Sequence, residues 1–363
     1  MKKQIKRLLA LGLAAGLLTA CGNTPVVQYD GSVNDTQQQV EAEKETENKT
    51  ETAQVVDGDA VKTGVSIQTT LEGENAGAQG DGYAKSNISI VAVTVGEDGV
   101  IDDCTIDGIQ TTVNFNTEGK LGEVAKEYPS KNELGEDYGM KGASPIGKEW
   151  NEQAEAVAQY AIGKTVDELK NGAVDEAGKA KDADLAASAT IYIGGFVSQI
   201  EEAVNNATYL GASKGDSLVI TQTTHGNNSK DAGAEGDGLV QAYATIGILT
   251  LKDKTISSMI IDGVQANINF DTTGTVTSDL TAKVQTKNEL GEAYGMKAAS
   301  GIGKEWNEQA AAFASYVTGK TLDEAMGIAV TEEGKAADAD LAASVTVSLG
   351  GFNTLIEKAA DLN

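Results

Sequence analysis

The residues whose types could do chemistry are the hydroxyls and carboxylates of a seven-residue stretch, Asp184-Leu185-Ala186-Ala187-Ser188-Ala189-Thr190. It returns as Asp340-Leu341-Ala342-Ala343-Ser344-Val345-Thr346. No base accompanies these hydroxyls. The single histidine, His225, lies in Thr223-Thr224-His225-Gly226, and no histidine accompanies the first stretch, so a repeated Ser-His-Asp set is impossible. Cys104 is the only cysteine besides Cys21 and reads as a small core residue on a strand rather than a reactive thiol. Without cysteine or histidine clusters there is no haem, iron-sulfur or zinc site of the usual kind. The acidic turns Asp182-Ala183-Asp184, Asp338-Ala339-Asp340, Gly80-Asp81-Gly82 and Gly236-Asp237-Gly238 do not fit the twelve-residue loop of an EF-hand and read as solvated.

The elements that must position these segments come from an internal duplication. Lys131 to Ala154 aligns without a gap with Lys287 to Ala310, differing only at Asp137/Ala293, Gly142/Ala298 and Pro145/Gly301. Looser matches precede it, Ile106-Asp107-Gly108 with Ile261-Asp262-Gly263 and Asn114-Phe115-Asn116 with Asn269-Phe270-Asp271. The division falls at residues 65–209 and 210–363, each about 150 residues and an ordinary domain size with room for its own core. Within a copy, Asn87 to Val95, a tight Glu97-Asp98-Gly99 turn and Val100 to Ile106 predict a hairpin, with a third strand from Gln110 to Phe115. Tyr243 to Leu251 and Thr255 to Ile261 repeat it. Trp150, Ala154, Val157, Ala158 and Ala161 predict a helix over Lys148 to Ile162, Thr165 caps a second, and Phe196, Ile200, Ala203 and Val204 mark a third ending near Asn206. Strands followed by helices predict an α+β fold of two tandem homologous domains, each an antiparallel sheet packed with helices.

What precedes the copies is of another kind. Residues 1–21 carry Lys2, Lys3, Lys6 and Arg7, an apolar run from Leu8 to Leu18, and Leu18-Thr19-Ala20-Cys21, a secretory signal ending in what resembles the lipobox of bacterial lipoproteins. In that family the cysteine is acylated and becomes the new N-terminus, so Cys21 would hold the protein to the membrane by its lipid. Residues 22–64 are polar and acidic with almost no aromatic residue and predict a disordered tether. At roughly 40 residues its typical span is ~35 Å. Loss of the signal takes the net charge from −26 to about −30, which repels nucleic acid and anionic headgroups alike.

The repeated stretch resembles the pattern Asp-x-x-Ser/Thr-Gly/Ser-Ala-Thr of the flavin-binding subunits of bacterial redox pumps, in which FMN is joined by a phosphoester to the last threonine. The match lies at Asp184, Ser188, Ala189 and Thr190, with Ala187 departing. The second copy departs at Ala343 and Val345. With the lipobox, the tether, and Lys-Asn-Glu-Leu-Gly-Glu, Tyr-Gly-Met-Lys and Ile-Gly-Lys-Glu-Trp-Asn-Glu-Gln-Ala in both copies, nearly the whole chain looks like the flavinylated extracellular electron-transfer lipoproteins of Gram-positive bacteria. The resemblance implies one covalent FMN at Thr190 and one at Thr346, attached by a secreted transferase with FAD as donor. It implies electrons passing from a membrane quinone system to ferric iron or other extracellular acceptors.

Around such a site Ala187, Ser188 and Ala189 leave the Thr190 hydroxyl uncrowded, and a helix starting just beyond it would turn free N–H groups toward a phosphate. Gly194 and Gly195 could let backbone approach the ring or simply loosen that turn. Tyr138, Met140, Tyr294 and Met296 lie in irregular glycine-rich stretches where they could wall the ring, whereas Trp150 and Trp306 read as core anchors of their helices. Lys131, Asn132, Glu133 and Lys141 could bond a flavin's polar edge. A lipid-anchored protein that binds a solute or partner without any cofactor is the alternative from another class.

Overall fold

The computed structural model describes residues 59–362, so the signal, Cys21 and the tether up to residue 58 lie outside the described residues. Among the described residues, seven strands form two antiparallel sheets. The first has the order β3-β2-β1-β4, from β1 (Ala60–Glu74), β2 (Gly82–Val95), β3 (Ile101–Phe115) and β4 (Thr208–Ser213). The second has the order β5-β6-β7, from β5 (Ser217–His225), β6 (Gly238–Lys252) and β7 (Thr255–Phe270). Helices follow the strands in each copy. The first copy has α1 (Lys131–Leu134), α2 (Trp150–Ala161), α3 (Val166–Gly172), α4 (Ala183–Ser188) and α5 (Gly194–Asn205). The second has α6 (Lys287–Leu290), α7 (Trp306–Val317), α8 (Leu322–Met326), α9 (Ala339–Ala342) and α10 (Gly350–Asp361). This is the expected α+β architecture in two related halves.

The layering follows from how β2 alternates. Ile88, Ile90 and Ala92 join one buried cluster while Val91 and Val93 join another, so the strand is covered on both faces and runs apolar without a break from Ile90 to Val93. One face meets the helices of its own copy, where Trp150, Ala154, Val157, Ile193 and Ile200 close over Ile101, Cys104 and Ile106. The other face meets the second sheet, whose Ile246, Val264, Ile268 and Phe270 pack against Ile88, Ile109 and Phe115. Each half thus has its own helix-side core, and the two share a third between the sheets.

The halves also clasp one another reciprocally. Ala76 N–H donates to Gly274 O at 2.8 Å and Val276 N–H to Asn75 Oδ1 at 2.8 Å, while Ala232 N–H donates to Gly119 O at 2.9 Å and Leu121 N–H to Asp231 Oδ1 at 2.9 Å. Between these loops the repeat-equivalent rings of Phe115 and Phe270 stack at 4.3 Å and 6°. Gly82 and Gly238 make the room: a Cβ there would come within 2.6 Å and 2.3 Å of Phe115 and Phe270 ring atoms. The Gly-Asp-Gly turns read as solvated therefore serve this packing.

Three boundaries differ from the sequence expectation. Val100–Ile106 and Gln110–Phe115 are one strand, β3, beginning at Ile101 and paired with β2 without a break from Asp103 to Phe115, so the glycine at 108 does not end it. The remaining meander strand is β1, which begins at Ala60 inside the stretch assigned to the tether. β4 straddles the division between residues 209 and 210 and pairs with β1. The Asp98-Gly99 turn, the Trp150 helix and the Thr165 cap with its Glu168 box stand as expected.

Candidate functional site

The site is assembled from the first turns of α2. Glu149, 3 % exposed, caps that helix, and its carboxylate accepts the N–H groups of Met140 and Lys141, each at 2.8 Å, which pins the glycine-rich stretch carrying Tyr138 and Met140. One turn on, on the same helix face, Gln153 is fully buried. Its amide nitrogen donates to Ser144 Oγ at 3.2 Å and Lys148 O at 3.1 Å. Its Oε1 accepts Thr190 N–H at 2.8 Å, the Thr190 hydroxyl at 3.2 Å and Ile191 N–H at 3.2 Å. A single side chain thus joins the glycine-rich stretch to the threonine predicted to carry chemistry.

The second copy repeats this bond for bond. Glu305 accepts Met296 and Lys297 N–H at 2.9 and 2.8 Å. Gln309 donates to Ser300 Oγ and Lys304 O, each at 3.1 Å, and accepts Thr346 N–H at 2.8 Å, the Thr346 hydroxyl at 3.2 Å and Val347 N–H at 3.1 Å. Sequence reasoning missed both glutamines. The signal was there: a polar residue between Trp150 and Val157 on the apolar stripe, repeated at Gln309.

Thr190 is delivered by α4, whose N-cap Asp182 accepts Asp184 and Leu185 N–H at 3.0 and 3.1 Å. Leu185 and Ala189 are buried, so the chain is anchored in the core immediately before Thr190 emerges half-buried. Ser188 and Ser344 are half-buried too, while Asp184 and Asp340 are exposed on the first turns of their short helices. Val345 is 1 % exposed, so its extra bulk lies in the core and does not crowd the Thr346 hydroxyl. Lys179 Nζ donates to Thr190 O at 2.9 Å and sets a positive charge beside the threonine.

Apolar side chains border the cores on which these segments rest. Tyr138, Met140, Ile191 and Phe196 are half-buried and pack at the margin of the cluster that holds Trp150 and Ala189; Tyr294, Met296 and Val347 do so around Trp306 and Val345. Trp150, edge-on to Phe196 at 6.0 Å, and Trp306, edge-on to Phe352 at 5.9 Å, are the core anchors expected of them.

Other candidates are committed elsewhere. Asn132 Nδ2 donates to Ile106 O at 2.9 Å, and Glu133 closes a capping box on Ser130 and accepts Gln222 Nε2 at 2.6 Å and Lys358 Nζ at 2.7 Å, so both tie β3 and the two halves together. Lys141 pairs with exposed Glu136. α5 begins only at Gly194, and the first donors, Ile193 and Gly194 N–H, already bond Gly178 O at 2.9 and 3.1 Å. They are not turned toward a phosphate. Gly194 instead lets in the ring of Tyr192, an aromatic 60 % exposed two residues from Thr190 that the sequence reading did not single out.

Buried charges lie behind the site. Burial pushes the Asp107 and Asp262 carboxyls up to about 6, even though each accepts two backbone N–H bonds. A cavity of about 690 Å³ opens between β3 and β5, and others of about 360 and 340 Å³ lie along β7. None of these is lined by Thr190 or Thr346, which are themselves half-buried. No family model, curated protein or solved structure matches the chain.

Proposed function

We propose that the protein is an electron carrier that holds one FMN on Thr190 and one on Thr346 through phosphoester bonds. The observation that carries this reading is the glutamine clamp, built identically in both copies, which presents a half-buried threonine hydroxyl beside an aromatic and methionine margin. Attachment replaces the Oγ–H bond by an Oγ–P bond, with AMP leaving the FAD donor and the hydroxyl proton released. Gln153 Oε1 then still holds Thr190 and Ile191 through their N–H groups, so the segment keeps its place. The bound flavin would supply the redox chemistry, and the protein its position and surroundings. Tyr138 and Met140 would lie against the ring face, and Lys179 would offset phosphate charge.

On this reading a covalent bond is what keeps the flavin with the protein. A flavin held at micromolar affinity is bound by only ~8 kcal/mol and would be lost to a dilute medium. Anchored through a lipid on Cys21 and a tether to residue 58, the two halves would take electrons from a membrane quinone-linked donor and pass them to ferric iron or another extracellular acceptor. The β3/β5 cavity favours a second reading, in which Asp103, Glu155 and Asp361 receive a solute. Coexpression with a flavin transferase decides between them: the electron-carrier reading expects two added flavin masses and in-gel fluorescence after denaturation, and a colourless chain of unmodified mass would defeat it.

A further inference from the structure

We propose that Lys287 makes the two sites unequal, so that the second copy holds electrons more firmly than the first and is the outlet of the pair. This rests on the flavin reading above. Lys287 is 2 % exposed; its Nζ lies 4.3, 4.9 and 4.4 Å from the ring centroids of Tyr243, Tyr294 and Trp306 and donates to the Tyr243 hydroxyl. Its counterpart Lys131 is half-buried, 4.8 Å from Tyr138 and 4.6 Å from Trp150. No third ring covers it, because Asn87 stands where the second copy has Tyr243 and turns its amide to Glu72 at 2.7 Å.

Three rings that exclude water leave the Lys287 charge largely unscreened, and a charge acts several times more strongly across protein than across water. Tyr294, one of those rings, borders the core cluster that holds Val345, the residue before Thr346. A flavin gains negative charge when it accepts electrons, so the better-insulated cation raises the tendency of the second site to be reduced. Electrons shared between the two sites would then favour the second.

The groups facing Lys287 are Tyr243 on β6 with His225 of β5 stacked behind it at 5.1 Å, Asp262 on β7, Tyr294, and Trp306 at the start of α7; Glu289 acts on Asp262 and Glu305 on Tyr294. Burial pulls the Lys287 ammonium down to about 8 against the opposing pull of Asp262, so the inequality fades above that pH.

Spectroelectrochemical titration of the doubly flavinylated protein tests this, with Thr190→Ala and Thr346→Ala assigning each midpoint. We expect the higher midpoint in the second copy, a gap that narrows above pH 8, and a Tyr243→Asn variant whose second midpoint alone drops toward the first. Coincident midpoints, a reversed order, or a gap untouched by Tyr243→Asn would overturn the proposal. Flavin-free protein carrying Trp150→Phe, with Trp306 as its only indole, should show a fluorescence transition near pH 8 that Lys287→Met abolishes; no such transition would also overturn it. A chain that takes no flavin sinks the flavin reading and this inference together, whereas a flavinylated chain with equal midpoints sinks only this one.

Discussion

The hydrogen bonds around Gln153 and around Gln309 agree within 0.1 Å, yet the residues just outside them do not. Ala189 becomes Val345, Tyr192 becomes Ser348, and Asn87 becomes Tyr243. The difference teaches where the chemistry is constrained. A buried amide serving five partners tolerates no drift, whereas a neighbour that only fills core or meets solvent can change without moving the threonine.

The largest effect that can test the equivalence is at the hydroxyls. Thr190→Ala should remove one flavin mass from transferase-treated protein, Thr346→Ala the other, and the double substitution both; peptide mapping that places flavin on Ser188 or Ser344 would reassign the sites. Next comes the shared core. Phe115→Ala or Phe270→Ala should cost about 3–5 kcal/mol, and because both halves pack on that stack they should unfold in one denaturant transition. Two separate transitions would show independent halves.

Gln153→Ala orphans buried donors, at about 1–3 kcal/mol for each unsatisfied group, and should impair flavin attachment in the first copy while sparing Thr346. Intact-mass measurement beside a melting curve separates loss of the clamp from loss of fold. The smallest effect is a shared pH response. Asp107 and Asp262, raised from 3.8 to about 6, keep protons that the unfolded chain has released. Their stabilisation is full below about pH 4 and is lost as pH rises through about 6, so from these groups the protein should be more stable at pH 5 than at pH 7. Asp107→Asn with Asp262→Asn should flatten that slope in chemical denaturation at the two pH values.

Much of this was legible in the sequence because local signals and tertiary structure agree. Asp98-Gly99 makes its turn, Thr165 and Glu168 make their box, and the Trp150 stripe makes its helix. β1 was harder. Its second half alternates half-buried with exposed residues, and Gly64, which reads as a linker, is a glycine because Ala203 O approaches so closely that a Cβ would sit 2.0 Å away. The shared core left a trace in runs such as Ile88 to Val95, too apolar for a strand covered on one side only. The donors at the start of α5 could not be read, since their partner Gly178 lies in a separate loop.

The reciprocal clasp has a consequence for inheritance. Long near-identical repeats such as Lys131 to Ala154 and Lys287 to Ala310 invite recombination that deletes one copy. Here the shortened product would lose β5, β6 and β7, expose the inner face of the first sheet, leave Asn75 without the loop it grips, and strand Phe115 without its mate. Interlocking therefore makes the repeat number hard to reduce by single steps, whatever the two halves have each become.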